Sequence, residues 1–70
     1  MVPEDFAIRD DMIRLGQLLK ASGLAGSGAD AKALLTEGAV SVNGEPEARR
    51  GRQLHRGDVV AVAGRELRVA

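Results

Sequence analysis

The spacing of apolar positions changes along the chain, and each change predicts an element. Leu15, Leu18, Leu19 and Ser22 fall at i, i+3, i+4 and i+7, one face of a helix. Gly16, Gln17 and Lys20 take the other side. Gly23 stands where a helix stops on a left-handed residue. Gly26-Ser27-Gly28 is a second break. Ser27 reads as the N-cap of the next helix, and Asp30 adds negative charge in its first turn, where the helix dipole favours it. Ala31, Leu34 and Leu35 form that helix's apolar stripe, Lys32, Thr36 and Glu37 point away, and Gly38 ends it. Two helices this short must pack on each other or on something else, because neither persists alone.

Beyond Gly38 the period drops to two. Val40-Ser41-Val42 alternates, and Asn43-Gly44 follows, a dipeptide that tolerates positive φ at both central turn positions. Glu45-Pro46-Glu47 starts the return strand, which Pro46 confines to an edge. Arg49-Arg50-Gly51-Arg52 is a charged loop and Arg56-Gly57-Asp58 a turn. Val59, Val60 and Val62 make a β-branched strand, Gly64 turns it, and Leu67 and Val69 form a last strand. At the other end, residues 1–5 read as a frayed terminus and Phe6-Ala7-Ile8-Arg9 as a short strand. The expected architecture is α+β: two short helices packed on a small antiparallel sheet, as a single domain over residues 1–70.

Composition narrows the function classes. The chain has 70 residues, no Cys, no Trp, no Tyr, one Phe and one His. Without Cys, a disulfide-stapled extracellular scaffold and a structural zinc site are both unexpected, and a cytoplasmic setting is expected. No apolar run approaches the ~20 residues of a membrane span. No cofactor motif stands out, nor any paired-carboxylate or Ser–His–Asp pattern, so an enzyme is not expected. The glycines at 26 and 28 are not a Walker loop, because Ala33 rather than Ser or Thr follows Lys32. His55 has no second His or Cys to share a metal. Ten basic and ten acidic residues cancel, but not evenly. Residues 1–11 carry one basic and four acidic side chains, net −3; residues 12–48 carry three and four, net −1; residues 49–70 carry six and two, net +4. That asymmetry is the informative quantity.

Residues 14–44 resemble the RNA-binding domain named for small-subunit ribosomal protein four, the S-four domain or alpha-L motif. Its approximate pattern is R-L-D, a short helix to Gly, a turn ending in Ser or Thr and then Arg, a helix with x-x-A-x-x-L-[IV], and G-x-V-x-V-N-G. Here Arg14-Leu15 opens the pattern and Gly23 closes the first helix. Ser27 begins the second helix, which carries Ala31, Leu34 and Leu35, and the run from Gly38 to Gly44 completes the motif without a gap. Gly57-Asp58-Val59-Val60 matches the downstream G-D-x-[IV]. Length and the Arg-Arg-Gly-Arg segment resemble the small stand-alone bacterial, YbcJ-like members. Two positions depart: Gly16 replaces the pattern's Asp, and Gly28 replaces the Arg that follows Ser or Thr.

The resemblance implies non-catalytic binding of structured RNA, ribosomal, transfer or other, with no small-molecule substrate. The expected contacts are Lys20, Ser27, Gly28, Lys32, Asn43, Arg49, Arg50 and Arg52. The three arginines read as a phosphate clamp, since guanidinium forks match phosphate oxygens. The plainer reading is a solvated loop. Lys20 and Lys32 sit on polar helix faces, and Lys32 matches a position where the family prefers a basic residue. Ser27 and Gly28 place backbone amides at a helix N-terminus, which plain capping also explains. Asn43 is first a turn residue. Arg14 is expected either to contact RNA or to pair with Asp10 or Asp11, the pairing being preferred. Few aromatics means few stacking platforms, so recognition should run through phosphate, ribose and shape. The alternative is a protein–protein module that kept the fold without RNA; the zero net charge, the acidic N-terminus and Gly28 favour it.

Overall fold

The computed structural model describes residues 3–70. The elements run β1 (Glu4–Phe6), β2 (Met12–Arg14), α1 (Leu15–Ala21), α2 (Gly28–Thr36), β3 (Val40–Val42), β4 (Glu45–Pro46), β5 (Gln53–His55), β6 (Val59–Val62) and β7 (Arg65–Val69). Five strands form one sheet in the order β1-β7-β6-β3-β4, and β2 pairs with β5 in a second, two-stranded one. The α+β architecture expected from the sequence is therefore present.

Alternation builds the main sheet's inner face. Val40 and Val42 on β3, Val60 and Val62 on β6, and Leu67 and Val69 on β7 are all buried. Register stacks them: Val40 lies opposite Val62, Val42 opposite Val60, and Val60 opposite Leu67. Leu15, Leu18 and Leu19 of α1 and Ala31 and Leu35 of α2 close over this face, with Leu54 of β5, in one cluster. Burying each large aliphatic side chain contributes about 1.5–3 kcal/mol, which is how helices of seven and nine residues hold.

The Asn43-Gly44 turn forms as the sequence predicts, with φ of 52° and 84°. Asn43 also ties β3 to β6: its Nδ2 donates to Asp58 Oδ1 at 3.0 Å, and its Oδ1 accepts from the Val59 amide at 2.9 Å. Asp58 Oδ2 takes the His55 amide at 2.8 Å. Burial alone would push the Asp58 carboxyl up, but the hydrogen bonds from His55 and Asn43 outweigh it and hold it below its ordinary value.

Several expectations need correction. Glu4 and Asp5 are not frayed: they pair in parallel with Leu67 and Arg68 of β7, so the sheet is antiparallel except at this edge. Met1 and Val2, the rest of that expectation, lie outside the described residues. The strand expected at residues 6–9 ends at Phe6, although the Ala70 amide donates to the Phe6 carbonyl and the Ile8 amide to the Ala70 carbonyl. Strands β2 and β5 were not expected at all. Arg14 pairs with neither Asp10 nor Asp11; its Nη1 donates to the Gly51 carbonyl at 3.1 Å. Asp11 instead meets Arg56 at 3.3 Å.

Candidate nucleic-acid interface

The Arg-rich loop leaves β4 and returns into β5, and it is pinned at both ends. The Glu47 amide donates to the Val40 carbonyl, continuing the β3–β4 pairing. The Glu47 side chain turns inward, only 8% exposed, and becomes the loop's anchor. Its Oε2 accepts from the Ala48 and Arg49 amides and from Arg49 Nε, at 3.0, 3.1 and 3.2 Å. Its Oε1 accepts from Arg49 Nη2 at 3.1 Å and Arg52 Nη1 at 2.9 Å. Arg49 first, then Arg52, hold the Glu47 carboxyl down from 4.5 to about 2. On the other side the Leu15 amide donates to the Arg52 carbonyl at 2.8 Å, and the Gly16 amide to the Arg50 carbonyl at 2.9 Å.

The three loop arginines are therefore not equivalent. Arg49 and Arg52 are committed to Glu47. Arg50 makes no ion pair among the described residues, and its stem lies across Gly16 of α1. Two open clefts meet at it. One, about 460 Å³, is lined by Arg14, Gly16, Gln17, Lys20, Gly28, Ala31, Arg50 and Gly51. The other, about 280 Å³, is lined by Lys32, Leu35, Thr36, Ala48 and Arg50. No acidic side chain lines either. A third hollow, about 700 Å³, takes in Arg49, Gly51, Arg52, Gln53, His55 and Asp58.

Of the residues singled out from the sequence, Lys20, Gly28, Lys32 and Arg50 come together around these clefts. The Ser27 hydroxyl caps α2, accepting from the Asp30 amide at 3.1 Å. Asn43 lines neither cleft, and its amide group is engaged with β6. The sequence reading missed Gln17 as a cleft residue, and it preferred an ion pair over RNA contact for Arg14, which lines the larger cleft. It also took Glu47 only as part of a strand; its one available signal was the closeness of a carboxylate to Arg49 and Arg52 across an extended segment. Among the described residues no cluster of His, Asp and Glu has the makings of a metal site.

Helices α1 and α2 over an antiparallel-rich sheet, with a basic loop against the helix pair, define the class: the chain belongs to the S4 domain family, whose model matches residues 6–70. One relative is a protein of Bacillus subtilis (strain 168) named "Probable ribosome maturation protein RlbA". The two are 50% identical over 58 residues, 83% of this chain and 82% of that protein. A solved relative is YbcJ from E. coli, whose solution structure is described as revealing an alpha-L motif involved in RNA binding. It superposes with a TM-score of 0.73 at 32% identity, over all of this chain and 90% of that one.

Proposed function

We propose that this chain binds structured RNA, ribosomal or transfer RNA among the candidates, as one unit and without catalysing a reaction, in the cytoplasm. The binding face is the pair of clefts meeting at Arg50. The observation that carries this reading is that Arg14, Lys20, Lys32 and Arg50 surround two clefts free of acidic lining while making no ion pair among the described residues. Unpaired cations on a fixed scaffold are what a phosphate backbone recruits. Phe6 is the chain's only aromatic residue, so base stacking has little to work with and contact falls on phosphate, ribose and shape. The relatives' names, a ribosome maturation protein and an RNA-binding motif, agree with it.

The test is the salt dependence of binding to a folded RNA such as ribosomal helices or transfer RNA. Four phosphate contacts give a slope of log K on log salt of about −3 to −4, or about two decades of affinity between 50 and 200 mM. Affinity that barely moves with salt, or no measurable binding, would overturn the reading in favour of a protein-binding module.

A further inference from the structure

Gly16 is the second residue of α1. A glycine inside a helix is destabilising relative to alanine, so its presence here needs a reason. Backbone conformation is not the reason, since Gly16 has no positive φ. Space is. A Cβ at this position would collide with Arg50 Cγ and lie 3.1 Å from Arg50 Cδ and 3.4 Å from the Arg50 carbonyl oxygen. The backbone has no freedom to retreat, because Arg50 and Arg52 are hydrogen-bonded to α1 through their carbonyls and Arg14 holds Gly51. Only the Arg50 side chain can give way.

We propose that Gly16 is a positioning residue: its bare backbone is the seat for the Arg50 stem, and it sets where the guanidinium meets an RNA phosphate at the junction of the clefts. This rests on the RNA-binding reading above and deepens it. The same seat explains why position 16 departs from the Asp of the family pattern. An Asp there would push the stem aside and place a carboxylate in the cleft.

The experiment is a double-mutant cycle on Gly16→Ala and Arg50→Ala, read by RNA affinity, salt slope and melting temperature, with 15N NMR of the Arg50 Nε–Hε group in the free protein. Gly16→Ala changes no charge. It should nonetheless weaken binding by about the same factor as Arg50→Ala, roughly ten-fold for one charged contact. It should make the slope shallower by about 0.9. The double variant should bind no more weakly than Arg50→Ala alone, since both act through one side chain. The Arg50 resonance should become more mobile in Gly16→Ala without any RNA present. If Gly16→Ala melts lower than the parent, Arg50→Ala should restore it by removing the colliding stem; a loss that persists overturns the proposal. Full binding by Gly16→Ala alongside weak binding by Arg50→Ala overturns it alone. Full binding by both overturns the cleft reading, and this proposal with it.

Discussion

The β1–β7 edge and the helix clefts hold cations in opposite states. At the edge, Arg65 meets Glu4 and Arg68 meets Asp5, each at 2.8 Å, and in the nearby turn Arg56 meets Asp11. Around the clefts, Arg14, Lys20, Lys32 and Arg50 have no carboxylate within ion-pair distance among the described residues. Arg49 and Arg52 stand between: they share the single Glu47 carboxylate, which offsets one of their two positive charges. Net charge sums over these states and gives zero, which argues against a nucleic-acid partner only if cations are interchangeable. They are not. A carboxylate beside a paired arginine cancels much of its field, whereas an unpaired one recruits anions.

The largest effect should come from emptying the clefts. Lys20→Ala, Lys32→Ala and Arg50→Ala together remove three contacts, flattening the salt slope by about 2.7 and weakening RNA binding by about two decades at physiological salt. These exposed side chains contribute within about 0.5 kcal/mol each to folding. The melting temperature should therefore hold while binding is lost. A triple variant that still binds like the parent would place the interface elsewhere.

Glu47 divides the comparison, because it decides which loop arginines are free. From the sequence, Arg49→Glu, Arg50→Glu and Arg52→Glu together look harmless to the fold, as changes in an exposed loop. In the structure two of the three set a carboxylate against buried Glu47, so that variant should melt well below the parent, and Arg50→Glu alone is the clean reversal of charge. Acid tests the same network. The folded Glu47 carboxyl titrates near 2 rather than 4.5. A depressed pKa adds stability that is complete above the unfolded value and fades as pH falls toward the folded one. Melting temperature should therefore drop between pH 4.5 and about 2 more steeply in the parent than in Glu47→Gln. Parallel curves would mean the clamp does not hold in solution.

How much of this was legible follows from the range of each interaction. Asn43-Gly44 and Ser27 were readable because a turn and a cap are decided by residues within three positions. The second hairpin was half readable: Gly64 marked it, but its partner at positive φ is Ala63, which carries no turn signal. Strands β2 and β5 were not readable. Each has three residues, each is ordered by pairing with the other and by burying Ile13 and Leu54 against the core, and these two are far apart in sequence. The site divides the same way. The arginine cluster was visible, but its three residues read alike, as one phosphate clamp. What separates them is Glu47 turning inward and Gly16 lying under Arg50, and only the second is a contact between distant segments. Glu47 needed nothing more than the alternation of an extended chain.

A gain should be available at Gly28. A Cβ there meets nothing within 4 Å, and the position lines the larger cleft. Gly28→Arg restores the cation of the family pattern beside Lys20 and Arg50. One more phosphate contact steepens the slope by about 0.9 and tightens binding by up to about ten-fold. A cation in the first turn of α2 opposes the helix dipole at a cost of about 0.3–1 kcal/mol. Binding should therefore improve while melting temperature slips slightly. Weaker binding would mean RNA approaches too closely there for a side chain.

The smallest effect belongs to the β1–β7 edge, and it decides whether the contrast between the two regions is real. Arg65→Ala with Arg68→Ala removes two positive charges, as Lys20→Ala with Lys32→Ala does, so the net charges of the two double variants are identical. Each lost ion pair is half exposed and contributes about 0–1 kcal/mol. The molecule measures 25 × 25 × 18 Å, two to three screening lengths across at the ~8 Å that physiological salt allows. A charge at the edge is largely screened from a phosphate in the clefts wherever more than one screening length separates them. RNA affinity of the edge variant should stay within about two-fold of the parent with an unchanged slope, since no counterion-releasing contact is lost. The cleft variant should lose more than a decade. If the two variants weaken binding equally, total charge rather than placement governs association, and the paired and unpaired cations are doing the same thing.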